Sequence, residues 1–187
     1  KVLVHKSTWG TIGSGPGEFR NPYGIALDNE GKHIYVSDCL NATIKKYDYK
    51  GKLLKEWGSY GEARGQLRYP ADIAIDSKGL LYVSEEVNHR IQVFDSDGKS
   101  VRIIGKKGVK SGEFNSPLGL AIDKEDILYV VDYLNRRIQK MDVNGKVLDI
   151  WGLKDDIKTY EPDGFKSAYY IAISDSGKVF VTNPSAN

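Results

Sequence analysis

Three carboxylates recur at one spacing. Asp38, Glu85 and Asp132 stand about 47 residues apart, and each is followed three positions later by an asparagine: Asn41, Asn88 and Asn135. A ring of such groups can hold a metal ion, because hard cations take oxygen ligands. The same residues have a plainer chemistry, since an Asp or Glu at the end of a strand accepts backbone hydrogen bonds and pins the loop leading to its asparagine. A residue type present in every unit serves a need of every unit. The structural reading is therefore preferred for all six, and for Trp57 and Trp151, which close two units with Trp-Gly.

Residues that change from unit to unit at one place are the candidates for recognition. One set reads Arg20, Arg68, Asn115 and Lys166; a second reads Tyr23, Ala71, Leu118 and Tyr169. A third reads Cys39-Leu40, Glu86-Val87 and Tyr133-Leu134, with Arg90, Arg136 and Arg137 close behind. Basic groups interleaved with tyrosines hold phosphates and stack bases or peptide side chains. The binding candidates are accordingly Arg20, Tyr23, Arg68, Tyr69, Tyr133, Arg136 and Arg137. Exposed Arg and Tyr are also ordinary on a solvated surface, and Glu62, Glu85 and Glu86 keep the region from being purely basic.

Catalytic signals are sparse. Zinc chemistry needs about three protein ligands within ~2 Å of the ion, whereas the three histidines, His5, His33 and His89, belong to an outer strand, a tight turn and a longer loop that do not converge. There is no Gly-rich phosphate loop or Ser-centred elbow. Cys39 is the only cysteine, so no internal disulfide can form. No catalytic residue, metal ligand or cofactor is assigned.

The elements that must carry these residues follow from the repeat. FRNPYGIALDNEGKHIYVSD (19–38) returns as LRYPADIAIDSKGLLYVSE (67–85), FNSPLGLAIDKEDILYVVD (114–132) and, altered, FKSAYYIAISDSGKVFVTN (165–183). Ile25-Ala26-Leu27 and its counterparts place a small residue between two large aliphatics, as expected of an innermost strand buried on both faces. A tight turn leads to Ile34-Tyr35-Val36 and its counterparts, a second strand. A third, Ile44–Asp48, Ile91–Asp95 and Ile138–Asp142, mixes apolar residues with Lys and Gln, as where one face begins to meet water. Each ends in Asp-x-x-Gly-Lys, a turn whose glycine takes φ > 0 and leads into a bulge. The fourth strand is the most polar. Four antiparallel strands, dry inside and wet outside, repeated at fixed spacing, describe an all-β propeller of four-stranded blades. In such blades the loops after the second and fourth strands share one rim, where binding usually resides.

Composition agrees. The 187 residues are 40% hydrophobic and 28% charged, typical of a chain with a buried core. No run approaches the ~18 apolar residues of a membrane-crossing helix, so no membrane insertion is expected. The net charge of +2 gives no bulk case for nucleic acid or anionic lipid. The compartment stays open, with a lean to the extracytoplasmic side.

PYGIALD, IYVSD, NHRIQVFD and NRRIQKMD with a closing WG resemble NHL repeats. The resemblance covers essentially the whole chain and implies a propeller, commonly of six blades, with an architecture of the WD40 kind. It implies a non-enzymatic binding scaffold whose loop rim contacts protein or peptide. Alternatives from the same resemblance are single-stranded RNA binding through the basic and aromatic rim, and a metal-dependent lyase or lactonase with its catalytic residues in other blades. The units divide as an outer strand at 1–10, whole blades at 19–58, 67–105 and 114–152, and two inner strands at 165–183. Such an incomplete ring is expected to be completed by further blades of a longer chain, roughly 280 residues at six blades, or by a second chain.

Overall fold

The computed structural model describes residues 8–152 and 168–182. His5, Lys166 and most of the expected opening strand lie outside the described residues. The first sheet is Pro22–Leu27 (β1), His33–Asp38 (β2), Thr43–Asp48 (β3) and Leu53–Trp57 (β4). The second is Pro70–Ile75 (β5), Leu81–Glu85 (β6), Arg90–Phe94 (β7) and Ser100–Ile104 (β8); the third is Pro117–Ile122 (β9), Ile127–Asp132 (β10), Arg137–Asp142 (β11) and Val147–Gly152 (β12). A two-stranded sheet, Ile171–Ile173 (β13) and Val179–Val181 (β14), follows. Each sheet runs in sequence order with antiparallel neighbours. Between sheets, β1 packs on β5, β5 on β9 and β9 on β13. Sheets that meet at their first strands and splay outward are propeller blades, here an arc of them.

Local chemistry sets the turns. Asp48 accepts hydrogen bonds from the amides of Lys50 and Lys52, both at 2.9 Å, and Gly51 at φ 83° closes the turn. The same arrangement recurs at Asp95 and Asp142, and each turn is followed by a register shift between the third and fourth strands. An αL residue leading into a bulge is what this spacing demands.

The core lies between blades. Ala74, Tyr82, Ile91 and Val93 of the second sheet pack with Leu120, Leu128, Val130 and Met141 of the third and with Phe114 from the connection between them, each large side chain contributing about 1.5–3 kcal/mol by burial. Two expectations need correction. The first strand is not buried on both faces throughout: Ile73 and Leu120 are 4% exposed, but Ile25 and Leu27 are 64% and 61% exposed. Ile73 and Leu120 pack onto the preceding sheet, and among the described residues no sheet precedes β1. The third strand meets water through only some of its polar residues: Lys46 and Lys140 are partly exposed. Lys45, Gln92 and Gln139 are fully buried, because each polar head is held by a buried carboxylate.

Candidate binding surface at the inner rim

The repeated carboxylates organise the rim from beneath. Asp38 ends β2 and accepts from the amides of Arg20 and Asn21, 3.2 and 2.9 Å away, while Asn41 donates to it at 2.6 Å and to the Gly13 carbonyl at 3.0 Å. Asp132 accepts from the Asn115 amide at 2.7 Å, and Asn135 donates to it and to the Gly108 carbonyl, each at 2.9 Å. Glu85 takes the Arg68 amide at 3.1 Å; Asn88 donates to it and, at 3.0 Å, to the Gly61 carbonyl. One buried carboxylate thus ties the loop after the second strand to the connection that enters the blade.

The network also decides which basic residues face outward. Arg137 is 8% exposed; its guanidinium donates to Asp132 at 2.7 Å and to the carbonyls of Val109, Lys110 and Glu113 at 2.7, 2.7 and 2.8 Å. Arg90 does the same in the second blade, towards Glu85 and the carbonyls of Glu62, Ala63 and Gln66. Arg68 is paired with Glu62 and lies over the Tyr60 ring. Arg20 and Arg136 are exposed, Arg136 on a left-handed backbone at φ 53° that Ala42 and His89 share in the other blades. Tyr69 is 39% exposed, also left-handed at φ 51°. Trp57 packs between Tyr35 and Phe94, and Trp151 against Tyr129.

What the repeat does not dictate gathers at the inner edge. Tyr23, from β1, stacks on Tyr170 at a ring separation of 5.8 Å, which joins the first blade to the last described one. Tyr133 lies 5.1 Å from Tyr169, their hydroxyls 3.3 Å apart. Burial first, then hydrogen bonding to Tyr170, and further the charge of Glu86, raise the Tyr23 hydroxyl. Hydrogen bonding to Tyr169 raises Tyr133, with Glu86 again contributing. Burial, and then Glu86 and Asp38, push the Cys39 thiol up to about 11, which leaves it a poor nucleophile at neutral pH. Four tyrosines and the Glu86 carboxylate thus share one neighbourhood. Sequence reasoning named Tyr23 and Tyr133 but did not select Tyr169, Tyr170 or Glu86. Their signal was present, because all three stand at places that change from blade to blade.

A second residue of this kind is Asp72, on β5 where β1 has Gly24 and β9 has Gly119. Its carboxylate accepts from the amides of Ile73 at 2.9 Å and Leu120 at 3.0 Å, and burial raises it above the usual carboxylate range. It bridges two inner strands.

The described residues do not fit a metal. No three His, Cys, Asp or Glu side chains among them converge as ligands. His33 Nδ1 lies 2.6 Å from Asp28, and His89 Nδ1 accepts from the Ser116 amide at 2.9 Å.

A family model, the NHL repeat, matches residues 67–94. The chain is built of propeller blades, and the match falls on the second of them. Among solved structures, these blades are similar to the catalytically inactive H270A virginiamycin B lyase from Staphylococcus aureus with quinupristin, at 20% identity and TM-score 0.67, covering 91% of this chain and 53% of that one. They are similar also to Kuenenia stuttgartiensis hydrazine synthase (16% identity, TM-score 0.64, 96% of this chain and 45% of that one) and to the RRP9 WD40 repeats (15%, 0.57, 70% and 38%). At these identities the likeness concerns the fold alone. The chain spans about half the length, or less, of these structures. No curated protein matches the sequence.

Proposed function

We propose that this NHL-type propeller is a binding scaffold, and that its inner rim takes a protein or peptide segment. The observation that carries this reading is the cluster of Tyr23, Tyr133, Tyr169 and Tyr170. None of the four is a repeat residue, each keeps part of its surface open, and tyrosine offers large contact area at low entropic cost. Against an RNA-binding rim stands the engagement of Arg137 with Asp132 and of Arg68 with Glu62. Two of the four arginines that reading requires are already neutralised.

The test is selection of peptides from a random library on the immobilised protein, followed by chemical-shift mapping of a selected peptide. Shifts concentrated at the four tyrosines support the reading. Shifts confined to the tight-turn rim, or tight oligouridine binding that weakens steeply with salt, contradict it.

A further inference from the structure

The inner rim combines aromatic faces with an uncompensated negative charge. Glu86 begins the loop after β6, at the place held by Cys39 in the first blade and Tyr133 in the third. Its backbone amide donates to the Tyr69 carbonyl at 3.1 Å, but among the described residues its carboxylate has neither a hydrogen bond nor an ion pair. The contrast with Glu85 is sharp: that neighbour is fully buried and engaged with Arg90, Asn88 and the Arg68 amide. Glu86 is only half-buried, near enough to Tyr23 and Tyr133 for its charge to raise both hydroxyls.

Tyrosine rings attract cations through the negative potential of their faces. Tyr23 stacks on Tyr170 and Tyr133 lies tilted against Tyr169, and all four side chains keep part of their surface open, Tyr170 at 43% exposure. An anionic ligand would meet Glu86 unscreened. A neutral one would leave the carboxylate desolvated without compensation, which is costly. A cation meets both features favourably.

We propose that the pairs Tyr23–Tyr170 and Tyr133–Tyr169, with Glu86 beside them, form a receptor for one lysine or arginine side chain of a partner peptide. This rests on the inner rim being the peptide-binding surface and adds the chemistry of the residue it takes. Glu86 supplies the charge, and the rings supply the specificity for a flat or alkylated cation over a hydrated metal ion.

The experiment titrates one set of labelled peptides, identical except for a central Arg, Lys, Gln, Phe or Glu, into wild-type protein and Glu86→Gln, with chemical shifts of the four tyrosines as readout. The expected result is at least tenfold tighter binding of the Arg and Lys peptides than of the Gln peptide, weakest binding of the Glu peptide, and loss of the cation preference in Glu86→Gln. Equal binding of Arg, Gln and Phe peptides with shifts at the tyrosines overturns the cation receptor and leaves the peptide-binding rim standing. Binding of the peptides with no shift at any tyrosine overturns both. Tyr23→Phe, which keeps the ring and removes the hydroxyl, is expected to retain the Arg preference; its loss there would overturn a ring-face mechanism.

Discussion

The first blade and the next two solve the same problem with different side chains. In the second and third blades the buried carboxylate is met by an arginine and a glutamine, Arg90 with Gln92 and Arg137 with Gln139. In the first blade Thr43 stands where the arginine would be, and Lys45 where the glutamine would be. Lys45 Nζ lies 2.8 Å from Asp38, 2.9 Å from Thr43 Oγ1 and 3.3 Å from Glu56. Charge balance under the rim is therefore kept while its reach is not. A guanidinium fork extends from the carboxylate to three loop carbonyls, whereas an ammonium is a compact point charge that satisfies its near neighbours. The connection entering the first blade is held at Gly13 by Asn41 and has no arginine clamp. The electrostatics differ in the same sense. Burial raises Asp38, but Lys45, the Asn21 amide and Asn41 outweigh it and its carboxyl falls below the usual range; for Glu85 burial wins over Arg90 and the net shift is upward.

Breaking the clamp in the third blade should show the largest effect. Arg137→Ala leaves Asp132 buried without its cation and frees three carbonyls, at a cost of about 3–5 kcal/mol in urea unfolding. Thr43→Ala, at the corresponding place in the first blade, should cost about 1 kcal/mol or less. Similar losses at both positions would erase the distinction between the blades.

Lys45→Met should cost about 3 kcal/mol near neutral pH by isolating Asp38. The folded pKa of Asp38 is lowered, so its contribution is present above the ordinary 3.8 and is lost as pH falls through the folded value. The gap between Lys45→Met and wild type should therefore narrow in acid, measured as the urea midpoint from pH 7 downward. A gap that does not change would contradict the ion pair.

Installing the clamp where it is missing sharpens the contrast. Thr43→Arg combined with Lys45→Gln is expected to stabilise by about 1 kcal/mol and to slow amide exchange over 13–18. The smallest effect concerns His89, whose ring joins the second blade to the Ser116 amide, while Ala42 at the equivalent place makes no such link. Burial, then the charge of Lys107, lower His89 below the ordinary 6.5. Its contribution is present above pH 6.5 and is lost as pH falls towards the folded value. Wild type should lose up to about 1 kcal/mol across that window, and His89→Gln should show a flatter profile.

The blade was legible in the sequence because its signals are local and repeated. Alternating aliphatics, the aromatic in the second strand and the Asp-x-x-Gly-Lys turn each act within a few residues. The polar third strand misled, since Lys45, Gln92 and Gln139 look solvated until their partners, distant in sequence, are known. Arg137 misled for the same reason: residues 136 and 137 read as one basic pair, but Arg136 sits exposed on the left-handed turn before β11, whereas Arg137, the first residue of that strand, reaches Asp132. The tyrosine cluster was only half legible. Variable positions could be tabulated blade by blade, whereas the stacking of Tyr23 on Tyr170 depends on how far the arc of blades curls.

The division between a repeated framework and an unrepeated contact surface is tested most directly by one panel in which unfolding free energy and affinity for a library-selected peptide are measured on the same variants. Arg90→Lys should lower stability by more than about 1 kcal/mol and, in the folded protein, leave affinity within about twofold. Tyr23→Ser and Tyr170→Ser should weaken peptide binding at least tenfold while changing stability by about 1 kcal/mol or less. Tyrosine variants that unfold as readily as Arg137→Ala, or that bind the peptide as well as wild type, would contradict the account.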